Sequence, residues 1–197
     1  MHAYIVLCLL AGLRTEEARA LRWDHVDLDG QPDGHPPVPP SVAVRRSVRT
    51  HGDTKTERSR RTLRLPLMAV AALREHREHQ ADDRAAAGSA RQEHGLVFTT
   101  KLGTPLDAGN VRRMFKDVCR QAGIGDNWTP RELRTSFVSL MSRSGVSTEE
   151  IARLVGHSST RVTETIYRRE LRPVISTGAE VMDLVFGAQL SADSQTA

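Results

Sequence analysis

Cysteine is scarce in this chain: Cys8 and Cys119 are the only two in 197 residues. Two thiols cannot build a disulfide scaffold or a cysteine-rich zinc site, and they fit a reduced, cytosolic protein. No apolar run approaches the roughly 18 residues that a membrane span needs. The longest, residues 3–12, also lacks the basic start and small-residue cleavage site of a signal peptide. Lysine is scarce too. It occurs at 55, 101 and 116, so 25 of the 28 cationic side chains are arginine. Arginine stays charged and grips phosphate through paired N–H groups. With 24 acids the formal charge is +4 and the pI about 9.6. That balance suggests a nucleic-acid partner, although a codon bias toward arginine gives the same numbers.

What is present is enough for a core. Hydrophobic residues make up 39% of the chain, which excludes disorder throughout, and the length predicts one domain. Tyr4, Ile5, Val6, Leu7, Leu9 and Leu10 form an apolar helix that stops at Gly12. Thr15 is a candidate cap for a short second helix with Glu16 and Glu17 in its first turn. Val26 and Leu28 suggest a short strand. Residues 31–40 hold five of the nine prolines and must be surface loop. Residues 41–48 and 60–65 read as a hairpin, joined by residues 51–59 with Gly52 and Asp53 as turn residues. Pro66 opens a helix running to about Arg84, followed by a loose turn of small residues. Asp107 is a candidate cap for a helix through Val111, Phe115 and Val118. Pro130 starts a helix on which Leu133, Phe137, Leu140 and Met141 recur at helical spacing. Ser147, Thr148, Glu149 and Glu150 mark another helix start. Residues 160–169 and 172–186 read as further helices, and 191–197 as a polar tail. The fold class is therefore mostly α with a small antiparallel β-sheet (α+β).

Four local patterns bear chemistry. In Gly12-Leu13-Arg14-Thr15-Glu16-Glu17, Arg14 lies one turn before Glu17, so a carboxylate can orient a guanidinium. Lys55 sits in the hairpin connection, where an amine can reach into a cleft. Arg131 and Arg134 lie one turn apart and point the same way, which with the helix dipole makes an anion site. Gly156-His157 is a turn between helices that would expose an imidazole, with Tyr167 ten residues on among Thr165, Arg168 and Arg169. Taken singly, each is also what a solvated ion pair, a solvated lysine, a basic helix face or a core tyrosine with a wet hydroxyl looks like. His76 and His79, a turn apart on a charged helix, read as solvated rather than as metal ligands.

Read together and in order, Arg14, Glu17, Lys55, Arg131-x-x-Arg134, Gly156-His157 and Tyr167 resemble the tyrosine recombinases, the phage integrase family. The likeness extends to Gly103-Thr104-Pro105-Leu106, Val111-Arg112-Arg113, Ala122-Gly123-Ile124, Glu149, Ile151, Leu154 and Thr163. The resemblance implies the family's catalytic-domain fold over residues 1–188, a polar tail at 189–197, and no N-terminal core-binding domain in this chain.

It also implies site-specific recombination of double-stranded DNA, by a homo-tetramer in the full-length family, at the bacterial nucleoid and without a membrane, ATP, metal or other cofactor. Tyr167 would be the nucleophile that forms a 3′-phosphotyrosyl ester. Arg14 and Arg134 would hold the non-bridging oxygens, and His157 would add a hydrogen bond to the same phosphate. Lys55 would protonate the leaving 5′-oxygen, and Glu17 would support Arg14. Arg131 and Thr135 stand where the family usually has histidine. Arginine cannot accept a proton, so Arg131 either serves as a third phosphate cation or leaves proton removal to another route. The alternative reading is an inactive or weakly active remnant that binds DNA without cutting.

Overall fold

The computed structural model describes residues 1–45, 47–48 and 60–157. The expected hairpin connection with Lys55, the segment with Tyr167, the two expected C-terminal helices and the expected polar tail lie outside the described residues.

Helix α1 (His2–Leu10) is apolar on several sides and buries Ala3, Tyr4, Val6, Leu7 and Cys8. A helix apolar all round belongs inside, and α1 packs against both α3 (Leu67–Ala87) and α5 (Pro130–Arg143). Tyr4 meets the edge of Phe98, centroids 5.2 Å apart, and its hydroxyl donates to Thr15 O at 3.2 Å. Helix α2 (Thr15–Arg19) is one short turn further on. Its cap is not Thr15, which is already helical. The Arg14 backbone N–H instead donates to the Glu17 carboxylate at 2.8 Å.

Three antiparallel strands follow in the order β1 (Val26–Asp27), β2 (Ser41–Val44), β3 (Arg61–Arg64). Val42 pairs with Leu63 and Val44 with Arg61. Strand β2 stops four residues short of the sequence expectation because the chain turns toward α2, where Val48 N donates to Glu16 O at 3.2 Å. Helix α3 runs to Ala87, past the expected end at Arg84: the small residues read as a loose turn are alanines, the strongest helix formers. Helix α4 (Ala108–Gln121) is capped by Asp107, which accepts from Asn110 N at 2.8 Å, and buries Val111, Phe115 and Cys119.

Helix α5 begins with a reciprocal Thr129–Glu132 capping box and Pro130 in its first turn. Its buried stripe is Pro130, Arg134, Phe137 and Val138, so Leu140, expected inside, is exposed. Helix α6 (Thr148–Val155) is capped by Ser147. Phe137 and Val138 of α5 pack on Ile151 and Val155 of α6 as a small second cluster beside the main core. Among the described residues no helix is long and apolar enough to cross a membrane.

Candidate active site

The end of α6 organises the site. A helix leaves its last carbonyls without internal partners. Gly156 takes the left-handed conformation (φ 63°), which suits glycine. The turn then folds back: Gly156 N donates to Arg153 O at 3.1 Å and His157 N to Ala152 O at 2.9 Å. The next three carbonyls are taken by three arginines from three other elements. Arg61 Nε on β3 donates to Leu154 O at 2.7 Å. Arg134 Nη2 on α5 donates to Val155 O. Arg14 Nη2, ahead of α2, donates to Gly156 O at 2.8 Å. The cations sit at the negative end of the helix dipole, where positive charge is favoured.

The approach of α5 to this loop depends on Gly12. A Cβ there would lie 2.7 Å from a ring carbon of Phe137, and Gly12 too has a positive φ of 64°. Through this contact Arg134 Nη1 reaches Gly12 O at 2.5 Å.

One carboxylate joins the arginines. Glu17 is 2% exposed and accepts from Arg14 Nη1 at 2.6 Å, Arg61 Nη1 at 3.1 Å, Arg61 Nη2 at 2.9 Å and the Arg14 backbone. Burial alone would raise its pKa. Arg61 first, then Arg14, overcome that and hold it at about 2. The cluster of three guanidiniums and one carboxylate carries a surplus of positive charge. Burial and the charge of Arg14 lower Arg134 to about 9, so it stays cationic at neutral pH.

His157 follows directly from the turn and is half-buried, not exposed as its sequence position suggested. Burial, then the charges of Arg134, Arg14 and Arg61, hold its pKa at about 4. At neutral pH it is a neutral imidazole, with one N–H to donate and one nitrogen to accept. Positive charge beside a neutral donor suits an incoming anion.

The structure thus brings Arg14, Glu17, Arg134 and His157 together. It does not bring in Arg131, which is exposed, while Arg134 one turn later is buried. The two arginines do not share an environment, and the first turn of α5 already carries the carboxylate of Glu132. Arg61 was missed in the sequence. It lies in an arginine-rich stretch, where nothing marks one arginine from the next. The available signal was strand alternation, which places residue 61 on the same face as the buried Leu63 and Leu65. A charge on an inward face needs partners.

His76 also departs from expectation. It is packed rather than solvated, stacked on Phe98 at 5.1 Å and Trp23 at 6.3 Å, with Nε2 2.7 Å from Val97 O. Among the described residues no three His, Cys, Asp or Glu side chains gather as a metal site would require.

Comparison with known proteins decides the family. The model of the phage integrase family matches residues 1–172. The chain belongs to the phage integrase family. It is 62% identical over 188 residues to an integrase of Streptomyces ambofaciens, covering 94% of this chain and 48% of that protein. It is 26% identical over 195 residues to a XerC-like tyrosine recombinase of Caldanaerobacter subterraneus subsp. tengcongensis, covering 94% of this chain and 50% of that protein. The chain spans about half the length of these curated relatives. The fold is that of solved family members. XerA recombinase superposes with a TM-score of 0.66 at 21% identity, over 93% of this chain and 57% of that one. The Tn1549 transposon integrase, solved with transposon right end DNA, gives 0.69 at 16% identity, over 94% of this chain and 58% of that one.

Proposed function

We propose that residues 1–188 form the catalytic unit of a tyrosine-type site-specific recombinase, which cuts and rejoins double-stranded DNA through a covalent 3′-phosphotyrosyl ester. The observation that carries this reading is the convergence of Arg14, Arg134 and the neutral His157 on the last turn of α6, in a chain whose family is established. A solved relative of the same fold holds transposon DNA, and that partner chemistry suits the surplus of positive charge here.

In this reading the scissile phosphate sits against Arg14 and His157, with the charge of Arg134 beneath. The Tyr167 oxygen attacks phosphorus, the bond to the 5′-oxygen breaks, and Lys55 gives that oxygen its proton. Arg14 and His157 donate to the non-bridging oxygens as negative charge builds on them. A tyrosine of ordinary pKa about 10 is a weak nucleophile at neutral pH, and a cationic site eases loss of its proton to water. Glu17 keeps Arg14 in place. The ester preserves the energy of the broken bond, so a second strand can reseal it without ATP. As in the full-length family, the acting assembly in this reading is a homo-tetramer on DNA, at the bacterial nucleoid.

A second reading, binding without cutting, draws on Arg131. It is an exposed arginine where the family usually has a proton acceptor.

Covalent trapping on a nicked duplex from the DNA flanking the gene separates the two. The chain is tested alone and fused to the N-terminal half of the Streptomyces ambofaciens integrase. The recombinase reading predicts a denaturation-resistant protein–DNA band that vanishes in Tyr167→Phe while DNA binding remains. Binding with no band in either sample would leave the second reading. A band that persists in Tyr167→Phe would remove Tyr167 as nucleophile.

A further inference from the structure

Arg61 has no role in the reaction just described, yet it joins Glu17 to the last turn of α6. Its side chain is 8% exposed. Its backbone is held in the sheet opposite Val44. Its two Nη groups take one lone pair on each oxygen of Glu17, and Arg14 takes the others. Its Nε holds Leu154 O, and Nη1 lies 3.0 Å from where a Gly156 Cβ would be. One planar side chain therefore fixes the carboxylate that orients Arg14 and the helix end that presents His157.

We propose that Arg61 is a positioning residue for the phosphate site: by tying Glu17 to the last turn of α6 it sets the direction of the Arg14 guanidinium and the seat of His157. The inference rests on reading Arg14 and His157 as phosphate ligands. The physical reason is competition for Glu17. A carboxylate gripped on both oxygens by Arg61 leaves Arg14 one side-chain contact, Nη1, and lets its Nη2 turn to Gly156 O. Without Arg61, Glu17 is released to take Arg14 in a two-pronged pair, which withdraws Nη2 from the turn. Lysine cannot substitute, because one ammonium cannot span Glu17 and Leu154 O as the planar fork does.

The test uses Arg61→Lys, which keeps the charge, and Arg61→Met, which keeps the bulk, each with its melting temperature recorded. The first readout needs no DNA: NMR titration of the His157 imidazole, whose neighbours are Arg14, Arg61, Arg134 and Glu17. In Arg61→Lys the midpoint should climb from about 4 toward the ordinary 6.5, because the turn loosens and water enters while the charge is retained. The second is single-turnover cleavage in a double-mutant cycle. Arg61→Lys should slow cleavage about tenfold with DNA affinity nearly unchanged, and should cost clearly less in an Arg14→Ala background, where only its effect on His157 remains.

An unmoved His157 titration in Arg61→Lys would overturn the proposal. So would an equal loss of cleavage with and without Arg14, or failure of both variants to fold, since either makes Arg61 merely structural. A wild-type chain that never cleaves would sink the recombinase reading alone, because the His157 titration still decides Arg61.

Discussion

His157 and His76 are both half-buried, and burial pushes both pKa values below the ordinary 6.5. Their surroundings are opposite. His76 lies between the rings of Trp23 and Phe98, with one nitrogen on Val97 O. It is a packing residue with a polar tip. His157 sits over Arg14, Arg61 and Arg134, whose charges add to burial in keeping it neutral. Burial of a histidine is thus no sign of function by itself. What sets His157 apart is the like charge gathered around it, the pattern that marks a candidate anion site. The cations are held together by the α6 carbonyls and by Glu17, and an anion would relieve them.

The largest effect expected in separating the two regions comes from Glu17→Ala. It leaves Arg61 buried without its carboxylate and should lower unfolding free energy by about 3–5 kcal/mol, measured by denaturant melts; a loss below about 1 kcal/mol would show that the pairs behave as surface ion pairs. Next is His157→Ala, which should slow single-turnover cleavage by about 100-fold with little change in melting temperature. A loss of stability with cleavage per folded molecule unchanged would place His157 in the same class as His76. His76→Ala should do the reverse, lowering stability by about 1–2 kcal/mol through lost ring contacts while cleavage per folded molecule is unchanged.

The last contrast is pH dependence. The folded pKa of His157 lies below its unfolded value, so the folded state binds fewer protons between about 6.5 and 4, and stability falls as pH drops through that window. Glu17, also depressed, contributes stability above about 4.5 that is lost toward about 2. His157→Gln should flatten the first window and leave the second; equal slopes in both proteins would contradict the assignment.

Much of this was legible in the sequence where the signal is local. The Ser147 and Asp107 caps, the start of α5 at Pro130, the pairing of the two hairpin strands and the Arg14–Glu17 pair rest on residues a few positions apart, and they stand as expected. The recombinase order of residues pointed to the family. Local reading failed where partners are distant. Arg61 finds Glu17 and Leu154 across 44 and 93 positions, and no spacing rule reaches that far. The α5 stripe was misjudged at Leu140 because helical spacing allows adjacent faces, and contact with α1 and α6 chose the one bearing Arg134 and Val138. The same choice separates Arg134 from Arg131. His76 looked solvated because its sequence neighbours are charged, whereas the rings beside it come from residues 23 and 98.

The most direct test of the site is an NMR titration of His157 with and without a short DNA duplex. A phosphate held against Arg14 and His157 adds negative charge beside the imidazole, so its pKa should rise from about 4 toward or past 6.5, and the Arg14 Nε–H signal should move with it. Duplex that binds, by shifts elsewhere in the protein, yet leaves His157 and Arg14 unmoved would contradict the claim that the end of α6 is where DNA phosphate is held.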